Sequence, residues 1–275
     1  NLDVPDTWEV ALSTGKDKKE TWTRLIQEGK LGALAFLRNL RNMKMVNVDA
    51  NVIRKGLKDL NAQILLPLNF FSALRYAPEF KADINDLMLR TYTNLPKLPG
   101  KTIFVVDVSG SMHAIISSKS EFNRQDVSAA MAVLALEQCE EAEIWCTAGS
   151  DGARIHKTQQ IKYPKRGFDL VDQINELKRT LGGGGIFTAQ CLDYIKGHSQ
   201  GVPERIAIFS DSQDTDHGSR IPAPFGKYNY IVDVSSHSHG IHYNGVWTAE
   251  ISGWSEHFLT FIASSEGIGN QFDDE

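Results

Sequence analysis

The chain has 275 residues, enough for one large or two modest domains, with 41% hydrophobic and 23% charged residues, the proportions of an ordinary globular protein. Its longest uncharged apolar runs, such as "ILLPLNFFSAL" at 64–74, are far too short to span a bilayer, and no stretch reads as a secretory signal, so no membrane partner is expected. Net charge is −5 but uneven: residues 1–100 hold 15 Lys and Arg against 11 Asp and Glu (+4), whereas residues 101–275 hold 14 against 23 (−9). A basic half points to a polyanionic partner for that half alone, although solvated helix faces would give the same balance.

Residues 1–92 read as helical throughout. In "KKETWTRLIQEG" (18–29), Trp22, Leu25 and Ile26 share one face at helical spacing. "LGALAFLRNLRNMKM" (31–45) sets Leu34, Leu37, Leu40 and Met43 on an apolar stripe and Arg38, Arg41 and Lys44 on another face. "VDANVIRKGLKDL" (48–60) offers Asp49 as N-cap, and "LPLNFFSALRY" (66–76) begins near Pro67, which is tolerated in a first turn. "DINDLMLRTYTN" (83–94) is the last predicted helix, and "LPKLPG" (95–100) reads as a linker. Short helices on short turns suggest an all-α bundle or the end of a helical-repeat array.

After residue 100 the period changes. "KTIFVVD" (101–107) is a short β-branched apolar run, as expected of a strand buried on both faces. Helices are predicted over 124–139, 168–181, 188–197 and 255–265, and further strands over 142–148, 205–211, 228–234 and 245–252. That alternation predicts a doubly wound α/β sheet of the Rossmann type, preceded by an α-helical repeat segment.

In such a sheet the functional crevice lies beyond the carboxyl ends of the strands. Asp107 sits at one of those ends, Gly110 permits a tight turn, and Ser109 and Ser111 add two small hydroxyls beside it. Asp211 ends "IAIFSD" in the same manner, and "GGGGIFT" (182–188), expected to be a mobile loop, leads to Thr188. Two carboxylates and three hydroxyls are hard oxygen donors, suited to Mg²⁺ or Mn²⁺ rather than to a soft metal. Taken singly, each acid or hydroxyl could equally cap a helix.

These residues resemble the metal-ion-dependent adhesion site of the von Willebrand factor A domain, whose pattern is Asp-x-Ser-x-Ser, then a Thr, then an Asp. The resemblance implies Asp107, Ser109, Ser111, Thr188 and Asp211 as ligands of one Mg²⁺ or Mn²⁺, with an open position for a protein partner's carboxylate. "TWEVALS" (7–13), "WTRLIQEGKLGALAFLRNLRNM" (22–43) and "LPLNFFSALRY" (66–76) resemble the last part of a TROVE module. A TROVE module followed by an A domain is similar to the Ro autoantigen family, as is the terminal "ISGWSEHFLTFI" (251–262). The resemblance implies a TROVE-like segment of HEAT-like repeats over 1–95 and an A domain over 96–275. A complete TROVE ring is several times longer than 1–95, so most of it is expected to lie upstream or to be absent; a start at Asn1 rather than Met agrees with a fragment or processed product. The family implies a cytoplasmic ribonucleoprotein component that binds Y RNA-like small noncoding RNA and misfolded RNA ends. Arg38, Arg41, Lys44, Arg54 and Lys55 are the expected phosphate contacts.

Enzyme readings are disfavoured. A haloacid-dehalogenase phosphatase needs an acid two residues after its nucleophile, where Ser109 stands, and the glycine loop lacks a P-loop lysine. No Gly-x-Ser-x-Gly elbow occurs. His237, His239 and His242 in "HSHGIH" read as a polar loop rather than a transition-metal site. Cys139, Cys146 and Cys191 show no paired spacing and are expected to be reduced thiols of a cytosolic protein. The alternative to an RNA-binding protein is a protein-only adhesion or scaffolding module that binds a partner carboxylate through the metal.

Overall fold

A computed structural model describes residues 8–13, 15, 17–61, 65–93, 95–118, 120–216, 222–235, 245–253 and 257–268. The chain divides into two compact units, residues 1–95 and 96–275.

Among its described residues the first unit contains helices and no strand. They are α1 (Trp8–Ser13), α2 (Lys18–Gln27), α3 (Ala33–Met45), α4 (Ala50–Asp59), α5 (Pro67–Tyr76) and α6 (Lys81–Thr93), with a 3₁₀ turn at Pro78–Phe80. The starts follow local chemistry. The Asp17 carboxylate accepts from the Glu20 amide at 2.8 Å, and Asp49 from the Asn51 and Val52 amides at 2.8 and 3.3 Å. Pro67 opens α5, where its missing N–H costs nothing. On α3 the buried set is Phe36, Leu37, Leu40 and Met43, while Leu34 faces outward, so the apolar stripe is shifted by Phe36 from the one expected. At Gly56 of α4 a Cβ would lie 2.6 Å from the Phe36 ring and 2.7 Å from Ile26, so only glycine lets these three helices close.

The second unit is an α/β fold built on a six-stranded mixed sheet in the order β3-β2-β1-β4-β5-β6. The strands are β1 (Leu98–Asp107), β2 (Cys139–Ser150), β3 (Ile155–Ile161), β4 (Arg205–Ser210), β5 (Tyr228–Asp233) and β6 (Ala249–Ser252). All neighbours pair parallel except β2 and β3. Helices α7 (Arg124–Gln138), α8 (Phe168–Leu181), α9 (Thr188–His198) and α10 (Phe258–Ser265) flank it. Alternate residues of each strand serve opposite faces. Ile103, Val105, Trp145, Ile206 and Ile208 pack with Cys191, Leu192 and Ile195 of α9. On the other face Phe104 and Phe209 stack at 5.9 Å, and Phe258 of α10 meets Phe209 edge-on at 5.2 Å.

Two sequence readings are corrected here. The expected linker 95–100 is shorter, because β1 already begins at Leu98, opposite Cys139; a register shift between Leu98 and Lys101 accommodates Pro99 and Gly100, the latter at φ +76°. The strand β3, "IHKTQQI", was not expected. It is an edge strand whose residues alternate between exposed and half-buried, so it carries no apolar run.

Candidate functional site

Strand order reverses between β1 and β4, and the crevice beyond their carboxyl ends is the place where an open α/β sheet binds ligands. Asp107 ends β1 and Asp211 directly follows β4. Asp107 is fully buried. Its Oδ1 accepts from the Ser109 amide at 2.8 Å, and its Oδ2 accepts from the Ser210 hydroxyl at 2.7 Å. The Ser109 and Ser111 hydroxyls lie 3.2 Å apart. A 3₁₀ turn over Gly110–His113 carries the chain away. The Gly110 amide donates to the Gly183 carbonyl at 3.2 Å, and a Cβ at Gly110 would lie only 2.7 Å from that oxygen.

The glycine loop is pinned rather than loose. Gly184 bridges Gly149, the Gly185 amide donates to Asp151 Oδ1 at 2.8 Å, and Ile186 bridges Asp214. Ile186 and Phe187 are buried, which anchors the loop in the core. Thr188 is the first residue of α9 and is itself buried. Its amide is capped from a distant loop, by Asp214 Oδ1 at 3.1 Å, and the Gln190 amide is capped by Asp216 at 3.2 Å. Asp214 and Asp216 were not singled out from sequence, although the acid-rich run "SDSQDTD" after β4 was a visible signal.

Arg124 was also missed. It opens α7, and its Nη1 donates to Asp211 Oδ2 at 2.5 Å, with the two side chains 10% and 1% exposed. Asp211 Oδ1 and Thr188 Oγ1 are buried without a hydrogen-bond partner among the described residues. Burial pushes the Asp107 carboxyl up to about 7; bonds from Ser109 and Ser210 oppose the rise, and nearby Asp211 adds to it. Burial likewise pushes the Cys139 and Cys191 thiols to about 11 and Cys146 higher, so none is a ready thiolate ligand.

Among the described residues no three or more His, Cys, Asp or Glu side chains gather as a metal cluster. Any cation at β1 and β4 therefore depends on hydroxyl oxygens beside two carboxylates, a hard donor set. Among the buried oxygens left without a partner are Thr188 Oγ1 and Asp211 Oδ1, which such an ion could satisfy.

In the helical unit Arg38, Arg41, Arg54 and Lys55 are exposed, and Lys44 is half-buried. Arg38 borders a groove of about 770 Å³ with Trp8, Leu34, Asn61 and Leu65. Arg41 lies over the Tyr76 ring at 5.3 Å. The Lys44 ammonium binds the Tyr76 carbonyl at 2.9 Å and Glu79 at 2.7 Å, and Arg54 lies over Phe80 at 5.3 Å and 3.6 Å from Asp83. Lys44 and Arg54 thus stitch the helices together. Residues 237–242, with the three histidines, lie outside the described residues.

The TROVE domain family matches residues 1–163, more than half of the chain. The chain belongs to the TROVE family. The match runs past residue 95 and ends just beyond β3, so the TROVE region as matched takes in β1, α7, β2 and β3. The crystal structure of the RO (RSR) protein of Deinococcus radiodurans superposes with a TM-score of 0.59 at 15% identity, over 94% of this TROVE chain and 62% of that protein. At that identity the likeness is one of fold; the chain spans about three-fifths of that relative's length.

Proposed function

We propose that this chain is an RNA-binding, Ro-like ribonucleoprotein component and not an enzyme. Its helical unit contacts structured small noncoding RNA of the Y RNA kind and misfolded RNA ends. Its α/β unit is a von Willebrand factor A-like module in which Mg²⁺ or Mn²⁺ receives a protein partner's carboxylate. The TROVE match over residues 1–163 carries the RNA reading. Three buried, free cysteines agree with a reducing, cytoplasmic setting. Among the described residues no helix is long and apolar enough to cross a membrane.

Asp107, Ser109, Ser111, Thr188 and Asp211 would hold the ion, directly or through water. When bound, it would supply positive charge and an open coordination position. Ser210 orients Asp107, and Gly110 and Gly183 hold the serine turn against the glycine loop.

Phosphate contact falls to Arg38, Arg41 and Lys55, since Lys44 and Arg54 are engaged with Glu79 and Asp83. Substituting Arg38, Arg41 and Lys55 together by Gln is expected to weaken binding of a structured RNA roughly tenfold at low salt. It should also flatten the log–log salt slope by up to about three. Mobility shifts at several salt concentrations measure both. An unchanged affinity and slope would show these side chains to be solvating helices only. That outcome would leave the alternative, a protein-only adhesion or scaffolding module binding a partner carboxylate through the metal.

The raised Asp107 carboxyl gives a pH signature. The folded state keeps its proton to about 7, whereas the unfolded chain releases it near the ordinary 3.8. The chelated protein is therefore expected to lose stability as pH rises between those values and to level off above them. Saturating Mg²⁺ should remove much of that loss by favouring the carboxylate. Denaturant midpoints across pH, with EDTA and with Mg²⁺, read the difference. Parallel curves would count against a cation at Asp107.

A further inference from the structure

We propose that Arg124 is a tethered counter-cation of the β1/β4 crevice: its guanidinium holds Asp211 in the metal-free protein and sets how tightly a divalent ion binds there. The inference rests on the cation reading above and adds to it a residue that governs affinity.

Apart from its pairing with Asp211, the placement of Arg124 is electrostatically unfavourable. It occupies the first position of α7, where the helix dipole presents positive charge and repels a cation. The backbone there is fixed by other means: the Asn123 side chain accepts from the Asp126 amide at 2.8 Å, and the Asp126 carboxylate accepts from the Asn123 amide at 3.0 Å. Arg124 is nonetheless 8% exposed. Its contacts are incomplete: Nη1 reaches Asp211 Oδ2 and, at 3.5 Å, the Ser111 carbonyl, while Nε has no partner among the described residues.

Arg205 of the same unit shows what a structural buried arginine looks like here. Its Nε, Nη1 and Nη2 are all engaged, by Glu266, the Pro99 carbonyl and Thr102. The contrast matters because a buried guanidinium left half-satisfied is costly. Along this pair the unmet groups are Nε of Arg124 and Oδ1 of Asp211; the Gln125 amide and Ser128 hydroxyl, next on α7, also lack a partner among the described residues. The free Asp211 oxygen suits an ion, and the guanidinium on the other oxygen opposes one. An ion entering beside Asp211 meets a fixed like charge and a carboxylate whose other oxygen is already donated to. Its affinity is therefore held below what the oxygen set alone would give.

Calorimetric titration of the full chain with Mn²⁺ tests this, with melting in EDTA as the second readout. Arg124→Gln is expected to bind Mn²⁺ at least about tenfold more tightly than the unsubstituted chain and to melt lower in EDTA. Arg124→Lys, which keeps the charge, should stay within about threefold. A merely structural arginine would lower melting without raising affinity. If both proteins bind Mn²⁺ equally, or the folded Gln variant binds more weakly, the inference falls and the cation reading stands. If neither binds, both fall. Binding by the Gln variant alone supports the inference, with Arg124 closing the site outright. Should Arg124→Gln not fold, Asp211→Asn and Asp211→Asn/Arg124→Gln give the same comparison. The double variant is expected to bind at least about tenfold more tightly than the single one, and equal binding overturns the proposal.

Discussion

Substituting Asp107 by Asn is expected to lower Mg²⁺ or Mn²⁺ affinity by about a hundredfold or more. Loss of an outer hydrogen-bond partner of a metal ligand typically costs about 10–100-fold, and loss of a charged ligand should cost at least that. Asn keeps the shape: its oxygen can still accept from the Ser109 amide, and its amide group can still meet the Ser210 hydroxyl. The choice of Asn over Ala follows from the structure. A strand-end acid on an open edge could be truncated harmlessly, but Asp107 is fully buried. Asp107→Ala would strand the Ser109 N–H and the Ser210 O–H, at a cost of about 1–3 kcal/mol for each buried group left unpaired. Calorimetry on the Asn variant isolates the charge, and chemical denaturation of the Ala variant reads the added structural loss. Unchanged affinity in a folded Asn variant would remove Asp107 from the ligand set.

The largest effect on stability is expected far from the crevice, at the opposite end of the sheet. Arg205 begins β4 and Glu266 caps the end of α10, and their side chains are 0% and 1% exposed. Nε and Nη2 of Arg205 grip both carboxylate oxygens, Nη1 donates to the Pro99 carbonyl at 2.7 Å and to Thr102 at 3.1 Å, and Tyr230 donates to Glu266 at 3.0 Å. The network ties the starts of β1 and β4 to the closing helix. Arg205→Met would leave the Glu266 carboxylate buried and uncompensated, a loss of about 3–5 kcal/mol. For a unit of this size that is roughly a 10 °C fall in melting temperature. The double variant Arg205→Met/Glu266→Gln, with no stranded charge, should recover part of the loss. Calorimetric melting of the three proteins decides it: a single variant that melts within a degree or two of the parent would show the pair to be replaceable.

The sequence by itself determined most of the elements and which residue types stand at the end of β1. Apolar spacing of three and four marks α2, and Asp49 and Pro67 mark the starts of α4 and α5, because capping is a local matter between a side chain and amides two or three residues on. The β-branched run into Asp107, with Ser109 and Ser111 two and four residues later, is local for the same reason. Gly182, at φ +85° after α8, likewise shows in the glycine that only such a stop requires.

Only the tertiary structure decided which charges meet. Arg124 and Asp211 are 87 residues apart, Arg205 and Glu266 are 61, and Thr188 and Asp214 are 26; no periodicity links them. The same holds for Lys44 and Glu79, which pair across 35 residues. Strand β3 was hidden because an edge strand needs no apolar run, and its pairing with β2 rests on backbone bonds that any side chains permit. The glycine loop looked free because glycines promise freedom; it is held because the missing Cβ atoms let the backbones of Gly110 and Gly183, and of Gly149 and Gly184, come into contact. Local chemistry is written residue by residue, whereas long-range pairing depends on where the sheet and its helices carry each side chain.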